Sequence, residues 1–174
     1  MKIVNNRGFT LIELIITLMI LGIIVAISTS SFQGILSNQA LTHRVDKVYY
    51  TLQLARSEAI KRNKKVYVHF CQQGDVWKMG LSELDTCDCF IANSCHLDGI
   101  EKVQDLVDGK TLFIKNGDLT FFGSQASYLP LRFSANLGRV VITNSEEKSL
   151  SIIQSKMRVR ACSPDEPQLG YPKC

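Results

Sequence analysis

The sequence predicts an α+β protein in which a long N-terminal helix packs on an antiparallel β-sheet domain. Three observations carry that expectation. An almost uninterrupted apolar run extends from Phe9 to about Ile27, a helical stripe of apolar residues continues it to about Asn63, and the remaining chain alternates β-branched and aromatic segments with glycine and asparagine turns. There is no internal repeat and no low-complexity linker.

The first element is the apolar run. Roughly 19 residues suffice to span a bilayer as a helix, and Lys2 and Arg7 before it favour a cytoplasmic N-terminal side. A secretory signal carries its small residue after the apolar stretch, whereas Gly8 lies before it, so cleavage at Gly8 would leave the run on the mature chain. Glu13 lies inside the run. A charge near the centre of a membrane helix costs on the order of 2.5–3.5 kcal/mol and is normally kept for a partner. Another subunit is the expected partner.

The residues Arg7-Gly8-Phe9-Thr10-Leu11-Ile12-Glu13-Leu14 resemble the processing site of type IV prepilins and of the pseudopilins of type II secretion. The resemblance implies that a prepilin peptidase cuts between Gly8 and Phe9 and that the new Phe9 amine is methylated. It implies also that the Glu13 carboxylate neutralises the amine of a neighbouring subunit during assembly. The implied organisation is a leader over residues 1–8, a transmembrane and assembly helix over 9–30 and a soluble pilin domain over 31–174. The fold implied is the type IV pilin-like fold.

Beyond the apolar run, Leu41, Val45, Val48, Leu52, Ala55 and Ala59 are spaced alternately four and three apart and form one helical stripe. Arg44, Lys47, Gln53, Arg56, Lys61 and Arg62 make a wet face, and Glu58 precedes Arg62 by one helical turn. A single helix from Phe9 to Asn63 would be roughly 80 Å long, with Gly22 and Gly34 as its weak points. Many major pilins carry a helix-kinking proline here; this chain has none before Pro130.

Strands are expected at Lys65–Cys71, Val76–Leu81, Thr111–Ile114, Leu119–Phe122, Pro130–Phe133, Gly138–Thr143, Ser149–Gln154 and Met157–Ala161. Turns are expected at Gln73-Gly74-Asp75 and Asn116-Gly117-Asp118. The junction from Leu54 to Val66, and the segments from Phe133 to Arg139 and from Ser149 to Arg160, are similar to the GspH/FimT family of minor pilins and pseudopilins. A cysteine-rich insertion at about residues 83–110 falls outside that resemblance.

Six cysteines would meet an oxidising compartment once the domain is exported, and three disulfides are expected. Cys162–Cys174 would tie the tail Ser163–Lys173 to the last strand. Cys87 and Cys89 are too close for an easy mutual bond, which leaves Cys71 with one of them and Cys95 with the other. A metal site at Cys87, Cys89, Cys95 and His96 lacks the paired CxxC knuckles of structural zinc sites, so no metal is expected. His43, His69 and His96 stand near no nucleophile elbow, P-loop or HExxH pattern, and neither an enzyme nor a cofactor is expected.

The formal charge of +4 falls by two when Lys2 and Arg7 leave with the leader, so any nucleic-acid site must be local. Lys156, Arg158 and Arg160 alternate with Met157, Val159 and Ala161, which on a strand places the cations on one face. Lys148 precedes them, and Arg132 and Arg139 are expected on neighbouring strands. Guanidinium groups bind phosphate oxygens in pairs, and successive cations can follow a nucleic-acid backbone. Met157-Arg158-Val159-Arg160 is similar to the Gly-Arg-x-Arg motif of FimT-like proteins that act in DNA uptake, with Met157 in place of the glycine.

Three functions stand on these residues. The first is a minor pilin that binds extracellular double-stranded DNA, without sequence preference, for natural transformation. The second is a structural minor pilin that primes pilus assembly, and the third is a pseudopilin of a type II secretion system. All three imply other pilins as partners through the N-terminal helix. They share processing by the peptidase and passage through the inner membrane with the C-terminal domain in the periplasm. The pilin readings end at a surface pilus.

Overall fold

A computed structural model describes residues 9–130 and 135–174, with residues 27–31 described by their backbone alone. Gly8, Arg132 and most of the strand expected at Pro130–Phe133 lie outside the described residues. The chain divides into two compact units, Met1–Leu36 and Ser37–Cys174.

Helix α1 (Leu11–Arg62) begins in the first unit. Thr10 caps it: the Glu13 N–H donates to Thr10 Oγ1 at 3.3 Å, and the Leu14 N–H donates to the Thr10 carbonyl at 3.2 Å. Thr10-Leu11-Ile12-Glu13 therefore has the pattern of a capping box, with Glu13 in the first turn where a carboxylate complements the helix dipole. Phe9 and the large apolar side chains from Leu11 to Val25 are exposed. Among the described residues no helix is long and apolar enough to cross a membrane. The described side chains of the apolar run end at Ala26, and Leu11 to Ala26 rises only about 24 Å against a hydrocarbon core of about 30 Å. The expected segment over 9–30 extends beyond them.

In the second unit the stripe Leu41, Val45, Val48, Leu52, Ala55 and Ala59 is fully buried, each at 0% exposure. Spacing alone placed these six residues on one face, and that face is the helix side of the core. The helix stops at Arg62 because Asn63 turns left-handed at φ 53°. The Lys64 N–H then reaches the Ala59 carbonyl and the Asn63 N–H the Ile60 carbonyl, both at 3.3 Å, which satisfies two of the last carbonyls. Arg62 gathers three carboxylates: Glu58 at 2.5 Å, Glu83 at 3.2 Å and Asp98.

Ten strands follow. β1 (Val66–Gln73) and β2 (Val76–Ser82) form a hairpin through Gly74-Asp75, as the sequence predicts. β3 (His96–Leu97) and β4 (Ile100–Glu101) make a small ribbon in the cysteine-rich segment. After it come β5 (Val103–Val107), β6 (Leu112–Phe113), β7 (Gln125–Tyr128), β8 (Gly138–Asn144), β9 (Ser149–Gln154) and β10 (Val159–Cys162). They assemble into two four-stranded antiparallel sheets, ordered β5-β2-β1-β7 and β10-β9-β8-β6, rather than one. Residues of α1 and of both sheets share one apolar core. Buried Tyr128 of β7 donates to Gln154 Oε1 of β9 at 2.6 Å, a polar tie between the sheets.

Three strand expectations change. Thr111–Ile114 shortens to β6. Leu119–Phe122 is not a strand, since Leu119 makes a lone bridge to Val140 and a 3-10 turn follows at Phe122–Ser124. There the Arg139 N–H takes the Thr120 hydroxyl as acceptor in place of a ladder carbonyl, and Phe121 turns in to stack on Phe70 at 5.3 Å. Met157–Ala161 begins instead at Val159, because residues 155–158 form the β9–β10 turn.

The six cysteines pair as Cys71–Cys89, Cys87–Cys95 and Cys162–Cys174. Cys71, Cys89 and Cys95 bring their sulfur atoms within 4.8 Å of one another, but all three are spent in disulfides. This double staple lies on β2 at Gly80, where an added Cβ would come within 2.6 Å of Cys95 Sγ. Only glycine lets the cysteine-rich segment pack so closely. The tail is tied as Cys162–Cys174 predicts. Ser163 exchanges 2.8 Å hydrogen bonds with Pro172 and Cys174, and the Tyr171 hydroxyl donates to Asp46 at 2.6 Å.

Candidate nucleic-acid interface

The cations singled out in the sequence come to different places. Register decides the first pair: Arg139 on β8 and Arg160 on β10 both stand opposite Ile153 of β9. Directly opposed residues point to the same side, so the two arginines flank Ile153 on one sheet face about 10 Å apart. Both are exposed. The opposite face carries Val140 and Ile152, which are fully buried. The arginines thus make an exposed cationic end on this face, whose continuation through Val141, Thr143, Ser151 and Cys162 is buried.

Lys156 and Arg158 are exposed in the turn that closes the β9–β10 hairpin, at the same end of β9 as Arg139 and Arg160. Val159 is 5% exposed between Arg158 and Arg160, so the expected alternation holds there. It fails at Met157, which is 60% exposed in the turn and not part of the core. The turn is fastened from three directions. The Ser155 N–H donates to the Arg158 carbonyl at 2.9 Å, the Arg158 N–H donates to Ser155 Oγ at 3.1 Å, and Arg56 of α1 donates to the Met157 carbonyl at 2.5 Å. Arg56, expected on the wet face, is half-buried in this role. Its place on a helix face offered no clue, because its acceptor is a backbone carbonyl about a hundred residues away in the chain.

Lys148 does not join the group. It lies at the other end of β9, in the β8–β9 turn, and pairs with Glu146 at 3.4 Å. Arg132 lies outside the described residues. Among the described residues no ion pair holds Arg139, Lys156, Arg158 or Arg160; the cations that are paired are Lys61, Arg62, Lys64 and Lys148. Arg160 donates to the Cys174 main-chain oxygen at 3.3 Å, so the disulfide-held tail steadies it. Four cations at one sheet end, two on a face and two on a fastened turn, can bind phosphate oxygens without first breaking a salt bridge.

The histidines are scattered. His43 is exposed on α1, His69 is buried in β1 with Nε2 at 3.1 Å from the Leu84 carbonyl, and His96 Nδ1 lies 3.2 Å from the Asn93 carbonyl. Burial, only partly offset by the Leu84 contact, lowers the His69 pKa and favours its neutral form.

The prokaryotic N-terminal methylation motif matches residues 3–29. The family described as type II transport protein GspH matches residues 44–160, which include the helix stripe from Val45, strands β1 to β9 and the cationic hairpin up to Arg160. The chain belongs to the GspH family. No curated protein matches. Among solved structures, the crystal structure of the type IV minor pilin FimU from Pseudomonas aeruginosa is similar, with a TM-score of 0.52 and 15% identity over 76% of this chain and 96% of that one. The GspH-family chain thus has the type IV pilin fold, and its role is that of a pilin or pseudopilin subunit.

Proposed function

We propose that this GspH-family protein is a minor type IV pilin that binds extracellular double-stranded DNA for uptake in natural transformation. The observation that carries the reading is the set of exposed cations Arg139, Lys156, Arg158 and Arg160 at one sheet end, none in an ion pair among the described residues. Contacts from such a group go to phosphates and carry no sequence information. The protein works as a binding subunit, not an enzyme.

In this reading the peptidase releases residues 1–8, the Phe9 amine is methylated, and the chain waits in the inner membrane with its C-terminal domain in the periplasm. It then joins other pilins through the apolar start of α1, whose exposed side chains need a lipid or protein cover. The same exposed run supports a second reading, a structural minor pilin or a type II secretion pseudopilin that touches only protein.

Complementation of a deletion strain separates the two. A chain carrying Arg158→Gln and Arg160→Gln should restore pilus assembly but not DNA uptake. Full uptake by that variant would leave the assembly or secretion reading in possession.

A further inference from the structure

Resting on the DNA reading above, we propose that Met157 is an apolar wedge that enters the minor groove of double-stranded DNA, with Lys156 and Arg158 reaching phosphates on its two sides. The turn at residues 155–158 presents an unbranched thioether side chain, 60% exposed, between two exposed cations. Leu137, also 60% exposed, immediately precedes Gly138, whose register partner Gln154 ends β9 beside this turn. The hairpin end therefore combines apolar surface with cations that no described carboxylate pairs. What sets Met157 apart from other exposed apolar side chains of the domain is its place between two exposed cations, which suits a groove walled by sugars and phosphates.

Dimensions choose the groove. A two-stranded ribbon with its side chains fills the major groove, about 12 Å wide, whereas the minor groove, about 6 Å wide and 7.5 Å deep, admits single side chains. At the tip the turn exposes one apolar side chain, Met157, with an exposed cation on either side of it in the chain. Methionine is among the residues that serve as wedges between base steps, and it adapts its shape at little cost. The turn is also ready-made: the Ser155 bonds and the Arg56 bond to the Met157 carbonyl fix its backbone before any DNA arrives.

Binding of a labelled duplex by the full chain in non-ionic detergent tests this, with wild type, Met157→Ala and the Arg158→Gln/Arg160→Gln double variant compared over a range of salt. The wedge predicts that Met157→Ala binds about five- to tenfold more weakly, with an unchanged salt slope because every cation still meets its phosphate. It predicts also that a minor-groove ligand such as netropsin displaces the wild-type chain and a major-groove ligand does not. Wild-type affinity in Met157→Ala, or competition by the major-groove ligand alone, overturns the wedge and leaves the cation reading standing. No effect of the double arginine variant would instead remove the reading on which the wedge rests.

Discussion

Glu13 stands in the first turn of α1, where its N–H donates to Thr10 Oγ1 and its carboxylate completes the sequence pattern of a capping box. Its proposed work in assembly is a matter of charge, and the local work is a matter of hydrogen bonding, so two substitutions divide them. Glutamine at N3 keeps a capping box, and alanine does not. Both Glu13→Gln and Glu13→Ala should be cleaved and inserted yet fail to enter filaments when sheared pili are probed for the subunit. Filaments that contain the glutamine variant at normal levels would mean that capping, not charge pairing, is what the residue supplies. The motif drew attention to Glu13 through its position in an apolar run. The Thr10 cap was equally legible, as a threonine three residues before a glutamate, but the run reads first as a membrane segment and hides it.

At the scale of elements, helices and strands differed in how openly the sequence declared them. The α1 stripe was legible because six apolar residues kept the four-and-three spacing over five turns and all six are buried. β9 was legible to the residue, as Ser149–Gln154. β5 and β7 were not, because Gln104 and Asp105 interrupt the first and Gln125-Ala126-Ser127 gives the second no β-branched residue. Their pairing with β2 and β1 overrides weak local preference. In the candidate site, Arg158 and Arg160 were read correctly as exposed from alternation. The turn at 155–158 was not, since Lys-Met carries no glycine, asparagine or proline to announce it.

The β5–β6 connection shows what such turns rest on. Asp108 accepts hydrogen bonds from the N–H groups of Lys110, Thr111 and Leu112 and from the Thr111 hydroxyl, at 2.7–3.1 Å. Burial alone would raise its pKa, but these bonds outweigh burial and hold the carboxyl well below the ordinary range. A depressed carboxylate pKa adds stability above about pH 4 and loses it as pH falls further. Asp108→Ala should therefore cost about 1–3 kcal/mol at neutral pH, and the gap between denaturant titrations of wild type and variant should narrow progressively as pH falls below about 4. A gap as wide at pH 2 as at neutral pH would contradict this account of the turn.

For the molecule as a whole, the pairing of all six cysteines in three disulfides was legible, and their spacing left Cys71 with either Cys87 or Cys89. What chose Cys89 is tertiary: the close packing of the staple on Gly80 of β2, which no spacing rule contains. The tail disulfide closes a loop of 12 residues. By loop-closure entropy, replacing Cys162 and Cys174 with serine should lower stability by roughly 2–3 kcal/mol, read as a lower denaturant midpoint. An unchanged midpoint would show that the Ser163 and Tyr171 hydrogen bonds hold the tail unaided.

The central claim is that the end of the β9–β10 hairpin meets DNA phosphates, and the salt dependence of duplex affinity measures this most directly. Plots of log affinity against log salt for the full chain and for the Arg158→Gln/Arg160→Gln variant should be straight. If both arginines bind phosphates, the variant's slope is shallower by about 1.8, close to 0.9 for each phosphate it no longer neutralises. Parallel lines would contradict the claim, whatever the affinities, because they would mean that neither arginine displaces a counterion from DNA.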